Sequence, residues 1–240
     1  MTKLSLTERS NITPQLLRSA ARLGAILILA LLTYGCGKPP ILVQRYLLDY
    51  PAPVFTNLPT LEAGIGVEQF SVAQAFNTNA MVYQPQPFKS DTYHYHRWRV
   101  NPGYMVTDYL VRDLRDSGLF QAVMGPNQTS DCRFRLEGGV EECQEIDDPA
   151  VWQAALTLHI TLLDTNQKEI TRHVVFQKKY QALEPLAEKT PGGLAQGMSQ
   201  ALQHLSTRII SDVYQAARSR LGDQKIQCTG IRTHQPIISQ

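Results

Sequence analysis

The sequence predicts a single mixed α/β domain, in which a mixed and mostly antiparallel sheet has two main helices packed on it. Two observations predict this class. Short extended runs recur from residue 45 onward, separated by Pro, Gly, Asn and Asp, as strands separated by turns do. Two other segments repeat apolar residues every three or four positions, as a helix does when one face lies on a sheet. With 240 residues the chain is long enough for one such domain with tails.

The two helices have clear start signals. Asn101-Pro102 and Thr190-Pro191 each place a capping side chain before a proline at the first helical position. The first helix is predicted to run from Pro102 to Ser117 and to stop at Gly118. The second is predicted to run from Pro191 to Gly222. Its apolar face comprises Leu194, Met198, Leu202, Leu205, Ile209, Val213 and Ala216.

The extended segments follow from alternation and from turn residues. They are predicted at residues 45–50, 61–72, 81–83, 92–100, 119–124, 133–146, 151–164 and 169–183. The last three are long enough to form a meander, with turns at residues 147–149 and 165–168.

The N-terminus has the pattern of an export signal. Four cations precede residues 23–37, an uncharged run of 15 that is shorter than the roughly 20 residues that a membrane-spanning helix needs. We therefore predict a signal peptide at residues 1–35. Residues Thr33 to Cys36 resemble the lipobox of bacterial lipoproteins, which implies that Cys36 is lipidated, with palmitate among the acyl groups. The alternative is an uncleaved N-terminal anchor with an unmodified Cys36.

The chain divides accordingly into four parts. After the signal peptide, residues 36–44 are a lipidated tether, residues 45–221 are the domain, and residues 222–240 are a polar tail that we expect to be mobile. The body of the protein is expected outside the cytoplasm, facing the periplasm. In lipoproteins of this type, a residue other than Asp after the cysteine, here Gly37, favours the outer membrane over the inner.

The charge of the exported part argues against one class of partner. Residues 1–36 carry a net +3 and the whole chain +2, so the remainder carries −1. Nucleic-acid binding needs a basic face to neutralise phosphates, so no nucleic-acid partner is predicted.

The remaining cysteines allow at most one internal disulfide. If Cys132 and Cys143 lie on one strand, they are about 36 Å apart, far beyond bridging distance. We therefore predict that any disulfide joins Cys228 to Cys132 or to Cys143. A hairpin at Gly138-Gly139 is the alternative, and it would bring Cys132 to Cys143.

Residues that could perform chemistry are few. The familiar catalytic and phosphate-binding motifs are missing from the sequence. His94 and His96 alternate on a strand and could share a metal ion, but a third ligand is not evident nearby. Glu141, Glu142 and Glu145 read better as a solvated strand edge than as an acid/base pair. No catalytic residue, metal site or cofactor is predicted.

The densest aromatic stretch, residues 81–100, is a candidate partner surface. Aromatic and arginine side chains are enriched in binding hot spots. On a regular strand Tyr93, Tyr95, Arg97 and Arg99 share one face, which we assign to a partner. The opposite face, with His94, His96, Trp98 and Val100, is assigned to the core. The alternative is that the aromatics simply fill a half-buried strand.

Several short sequences occur in an order that resembles the ABC-type transport auxiliary lipoprotein family. The resemblance covers most of residues 36–221. The sequences are Arg45-Tyr-Leu-Leu-Asp49, Met81-Val-Tyr83, His96-Arg-Trp98, Leu136-Glu-Gly138 and Glu184 to Pro191.

The resemblance implies a non-enzymatic periplasmic component. Such a protein works with an MCE-domain protein and an ABC permease and ATPase in moving lipids or other hydrophobic molecules between the two membranes. It implies an α/β domain similar to the N-terminal domain of TolB, and homo-oligomers in some members. Two other functions stay open: an outer-membrane assembly lipoprotein of the lipopolysaccharide or Tol type, and, more distantly, a secreted hydrolase with a dispersed active site.

Overall fold

The computed structural model describes residues 24, 42–128, 132–147, 151–167 and 169–230. The chain divides into two compact units, Met1–Ile41 and Leu42–Gln240. In the first unit only Gly24 is described, and it lies in a helix. The predicted signal peptide, Cys36 and most of the tether therefore lie outside the described residues. Within the described part, none of the helices is long and apolar enough to cross a membrane.

The second unit contains nine strands and three helices in its described residues. The strands are β1 (Gln44–Tyr46), β2 (Leu61–Val67), β3 (Ser71–Val72), β4 (Ala80–Gln86), β5 (Lys89–Trp98), β6 (Phe120–Met124), β7 (Phe134–Asp147), β8 (Trp152–Asp164) and β9 (Val174–Pro185). The helices are α1 (Pro102–Ser117), α2 (Ile170–His173) and α3 (Pro191–Gly230).

The long strand β7 is the centre of the sheet. On one side it pairs antiparallel with β8, which pairs antiparallel with β9. On its other side three short strands follow one another along β7, each of them parallel to it: β2, then β3, then β4. Beyond β2 lies β6, and beyond β4 lie β5 and β1. The sheet is mixed, with more antiparallel than parallel residue pairs, which confirms the predicted class.

One close contact explains why β7 carries a glycine in its middle. A Cβ at Gly138 would lie 2.6 Å from the ring of Phe70 and 2.7 Å from the carbonyl oxygen of His159, so a larger residue cannot be placed there without movement. Gly138 pairs with Ile160 and Gly139 with His159 in a ladder that is regular from Phe134 to Val140 and shifts register by one residue before Glu142. The alternative of a hairpin at Gly138-Gly139 was therefore wrong, because β7 is one continuous strand.

Both main helices pack on the same face of the sheet. Helix α1 contacts β6 and β7, helix α3 contacts β8 and β9, and the two helices touch each other. The start signals act as predicted: Asn101 Oδ1 accepts a hydrogen bond from the amide of Gly103 (2.9 Å), and Thr190 Oγ1 accepts one from the amide of Gly193 (3.0 Å). The Gly118 residue ends α1 in the left-handed conformation, with φ 63°.

Several boundaries differ from the predicted ones. The strand predicted at residues 61–72 is divided into β2 and β3, and the strands predicted at 81–83 and 92–100 span Ala80–Gln86 and Lys89–Trp98. Strand β1 stops at Tyr46 and does not extend to residue 50. The segment from residue 169 begins with the short helix α2, so β9 starts only at Val174. Helix α3 continues past Gly222 to Gly230, because a single glycine weakens a helix without having to end it.

Candidate functional site

Strand β5 carries the aromatic stretch, and it is irregular. Ala80 of β4 pairs with Arg97, but Val82, two residues further along, pairs with Thr92. Strand β5 therefore has extra residues between these two pairs, and the strict alternation of its side chains is interrupted. The prediction of two clean faces depended on a regular strand, and the strand is not regular.

The irregularity turns Tyr93 inward. Its hydroxyl donates to the two carboxylate oxygens of Glu145, at 3.1 and 3.0 Å, and Glu145 is fully buried. Its ring lies 5.0 Å from that of Tyr83 and 6.1 Å from that of His96. Burial raises the pKa of the Glu145 carboxyl, while the hydrogen bond from Tyr93 lowers it by less. Tyr93 therefore helps to satisfy a buried carboxyl group and is not part of an exposed face.

The other three predicted partner residues are exposed near the edge of the sheet. Tyr95 is 48 % exposed, and Arg97 and Arg99 are exposed as well. Strand β1 places the exposed Arg45 directly opposite Arg97. In the described part of the chain β1 has one neighbouring strand, β5, so its other side is an open sheet edge. We call Arg45, Tyr95, Arg97 and Arg99 the basic edge.

The core assignment of Trp98 is confirmed, since it is only 2 % exposed and belongs to the main core. His96 is half-buried, with Nδ1 3.0 Å from the hydroxyl oxygen of Tyr46, whereas His94 and Val100 are exposed. The two histidines therefore have different surroundings. Within the described residues, no three His, Cys, Asp or Glu side chains lie close enough together to hold a metal ion.

The three glutamates of β7 have separate partners. Glu141 forms an ion pair with Lys179 (2.8 Å). Glu142 accepts a hydrogen bond from Thr157 (2.9 Å), and Glu145 is buried. Because β7 is the central strand, the three glutamates do not lie at a strand edge as predicted, and only Glu141 is exposed to solvent.

The tip of the β4–β5 hairpin is a feature that the sequence analysis missed. Gln86 pairs with Lys89, so the turn consists of Pro87 and Phe88. Phe88 has φ 68° and its side chain is fully exposed. Proline followed by a positive φ matches a type II turn, whose second central position favours Gly or Asn. The dipeptide Pro-Phe gives no turn signal of this kind, which is why no hairpin turn was predicted between the strands at residues 81–83 and 92–100.

A second feature that sequence reasoning missed is a buried carboxylate that joins three parts of the chain. Asp113 of α1 is fully buried. It accepts hydrogen bonds from Tyr50 (2.8 Å), from Ser206 of α3 (2.6 Å) and from Arg112 (2.9 and 2.7 Å). The Arg112 guanidinium carbon also lies 4.6 Å from the ring centre of Tyr50 and 4.3 Å from that of Tyr109. Such cation–π contacts favour the guanidinium in this position.

The same network fixes the segment between β1 and β2, residues 47–60, which we call the linker segment. In addition to the contact of Tyr50 with Asp113, three side chains along α3 bind the backbone of the linker segment. These contacts join the amide of Asp49 to Ser199 (3.0 Å), the carbonyl of Pro51 to Gln203 (3.2 Å) and the carbonyl of Pro59 to Tyr214 (2.9 Å). The chain that follows β1 is therefore attached to the main helix and is not a loose connection.

The fold is that of a class of mixed α/β bacterial proteins of known structure. A protein from Xanthomonas campestris, of the family DUF330, has a similar structure, with a TM-score of 0.68 at 18 % identity over 75 % of this chain and 99 % of that one. A second crystal structure, of an uncharacterised protein, gives a TM-score of 0.54 at 14 % identity over 68 % and 99 % of the two chains. None of the curated proteins matches the chain.

The sequence identifies the family. The family model described as "ABC-type transport auxiliary lipoprotein component" matches residues 46–210, which is more than half of the chain. The chain therefore belongs to the ABC-type transport auxiliary lipoprotein family, and the resemblance found in its short sequences is confirmed.

Proposed function

We propose that this protein is a membrane-anchored periplasmic lipoprotein and a non-enzymatic auxiliary component of an MCE/ABC-type system that moves lipids between the two membranes. The observation that carries the proposal is its membership of a family of transport auxiliary lipoproteins. The separate partners of His96 and of the three glutamates support a role without catalysis.

Anchoring to the cell envelope follows from the N-terminal pattern. The signal peptide exports the chain, and acyl groups on Cys36 hold it on a membrane, the outer membrane rather than the inner on the identity of Gly37. The open edge at β1 begins eight residues after Cys36. A partner that binds this edge would therefore meet the protein close to its anchor.

The basic edge supports binding of a protein partner. Two arginines lie side by side at the β1–β5 pairing, where Arg45 is opposite Arg97, and Tyr95 adds an exposed aromatic ring. Unpaired backbone groups on an open strand can accept a further strand, and the arginines would select an acidic segment. We assign this role to the MCE-domain protein, which in turn works with the ABC permease and ATPase.

The first experiment compares three variants by thermal unfolding and by affinity purification from cross-linked cell envelopes. The double variant Tyr95→Ala with Arg97→Ala is expected to unfold like the wild type and to lose the MCE-domain partner. Trp98→Ala is expected to lower the free energy of unfolding by about 3–5 kcal/mol, as for a large-to-small core change. Tyr104→Ala with Arg218→Ala, which removes the same side chains at exposed positions elsewhere, is the control.

The identity of the purified partner decides among the functions. Recovery of MCE, permease and ATPase proteins supports the proposal. Recovery of Tol or lipopolysaccharide-assembly proteins in their place would support an outer-membrane assembly role. If the double variant unfolds normally and keeps its partner, the basic edge is not the binding surface.

A further inference from the structure

Phe88 occupies a position that no packing contact among the described residues explains. It lies at the outermost point of the β4–β5 hairpin, its side chain is fully exposed, and its backbone adopts a positive φ. A bulky residue in this conformation is strained. A strained, fully exposed phenylalanine adds no packing to the described part of the domain, which is a reason to look for a contact with something outside the domain.

The direction of β1 indicates what lies outside. Strands β1 and β5 are parallel, with Gln44 opposite His96 and Tyr46 opposite Trp98. Moving from Gln44 toward the N-terminus is therefore moving along β5 toward Lys89, which follows Phe88. The chain therefore enters β1 from the side on which the hairpin tip lies, and Cys36 stands eight positions before Gln44 in the sequence.

The length of the tether is also sufficient to span the distance along β5 from His96 to the hairpin tip. Gln44 is eight positions after Cys36, and His96 is seven positions after Lys89. At about 3.3–3.6 Å per residue, the extended tether reaches about 26–29 Å, and the stretch of β5 spans at most about 25 Å. The anchored end of the tether can therefore lie level with the tip of the hairpin.

Other exposed groups lie at the same end of the sheet. Because β4 runs parallel to β7 and Gln84 pairs with Ile146, the hairpin extends past the end of β7. At this end of the sheet Val151, the residue before β8, is 46 % exposed. The Nζ of Lys189 lies 4.2 Å from the centre of the Trp152 ring. With Lys89, this end combines apolar side chains with cations, although it also carries the carboxylates Asp91 and Asp147.

We propose that the β4–β5 hairpin inserts Phe88 into the surface of the bilayer that anchors the protein, with Lys89 at the level of the headgroups. An aromatic ring beside a cation suits the membrane interface, where one part is apolar and the other is hydrated and anionic. The inference rests on the proposed anchoring at Cys36. It adds a second membrane contact, which fixes the orientation of the domain and so the direction in which the basic edge points.

The test uses the full acylated protein in vesicles of phosphatidylcholine and phosphatidylglycerol with brominated acyl chains, which quench tryptophan. Phe88→Trp adds a fluorophore at the tip, and Tyr104→Trp adds one at an exposed site in the first turn of α1, beyond the other end of β5. The wild type carries only its native tryptophans, so its emission is subtracted. The emission that Phe88→Trp adds is expected at shorter wavelength than in water, and the brominated chains are expected to quench most of it. The emission added by Tyr104→Trp is expected to be unchanged.

A second variant tests insertion of the hairpin tip without adding a fluorophore. Phe88→Asn suits a positive φ and is expected to fold normally, with an unchanged or higher melting temperature. Vesicles are expected to suppress cleavage by trypsin after Lys89 in the wild type and not in Phe88→Asn. Mass spectrometry of the fragments identifies this cleavage.

The outcomes separate the two proposals. Protein that sediments with the vesicles while the emission of Phe88→Trp stays unquenched, or is quenched no more than that of Tyr104→Trp, overturns the hairpin inference alone. Protein that does not sediment with the vesicles overturns both the anchoring and this inference.

Discussion

Asp113 joins the two main helices through its side-chain hydrogen bonds. Its carboxylate is the common acceptor for groups of the linker segment, of α1 and of α3. A buried charge is tolerated when hydrogen bonds satisfy it, and removal of one partner leaves the other groups unsatisfied. No periodicity in the sequence marks this role, because the contacts join residues up to 93 positions apart.

We expect Asp113→Ala to lower the free energy of unfolding by about 3–5 kcal/mol, since it leaves Arg112 and two buried hydroxyl groups without their acceptor. Chemical denaturation measures the change. Asp116→Ala, on the exposed side of the same helix, is the control and should change stability by no more than about 0.5 kcal/mol. Equal effects of the two substitutions would contradict the structural role of Asp113.

The cysteine positions sharpen the disulfide prediction. Cys143 is buried, and burial raises its pKa to about 12, so it exchanges slowly because the reactive form is the thiolate. Arg133, which follows Cys132, donates a hydrogen bond to the carbonyl of Arg220 (3.4 Å). Helix α3, which continues to Cys228, therefore contacts the residue next to Cys132. We expect any internal disulfide to join Cys228 to Cys132.

A peptide map of the non-reduced protein checks this pairing. A bond between Cys132 and Cys143 would require β7 to break, and finding it would contradict the continuous strand as well as the pairing. A bond from Cys228 to Cys143 would show instead that the core opens during oxidation.

Among the elements, α1 and β5 show what the sequence alone can predict. The bounds of α1 agree with the prediction because its signals are local: a capping side chain, a proline and a terminal glycine within one segment. The irregularity of β5 depends on which residues of β4 it pairs with, and its own sequence does not contain that information. For this reason Trp98 was placed correctly in the core, while Tyr93 was placed on the wrong side.

The sheet offers a pH test at Glu145. Because burial raises the pKa of this carboxyl in the folded protein, its ionisation destabilises the fold as pH rises from the unfolded pKa through the folded pKa. Glu145→Gln keeps an acceptor for Tyr93 and removes the charge. We expect the melting temperature of Glu145→Gln relative to the wild type to be higher at pH 7 than at pH 4.

Thermal unfolding between these two pH values measures the effect. Glu62→Gln, at an exposed position of β2, controls for the loss of one negative charge. If the difference in melting temperature between Glu145→Gln and the wild type is the same at both pH values, ionisation of the Glu145 carboxyl does not destabilise the folded protein.

At the scale of the whole molecule, the predicted fold class and family are confirmed, and both rest on patterns spread over the chain. The order of strands, the shared helix face and the short family sequences each extend over many residues, so errors in single boundaries do not change them. The side-chain networks were not predictable in this way, because they depend on contacts between distant segments.

The proposed anchoring of the molecule depends on a single thiol, that of Cys36. We expect Cys36→Ser to remain uncleaved by the lipoprotein signal peptidase and to carry no acyl groups, because the thiol is the attachment point. More than one acyl chain is needed for stable anchoring. Metabolic labelling with a palmitate analogue, with Cys132→Ser as the control, measures the modification. Equal labelling of the wild type and Cys36→Ser would refute lipidation at this position.

The parallel pairing of β1 with β5 also decides how the protein bears mechanical load. A pull on the N-terminus along the axis of β5 loads the hydrogen bonds of the three paired positions together, in shear. A pull away from the sheet would peel them one at a time, which needs less force. Behind β1, the attachments of the linker segment to α3 and to Asp113 transmit the load to the core. We therefore expect the domain to resist tension applied at its N-terminal end, such as tension between the proposed anchor and a partner.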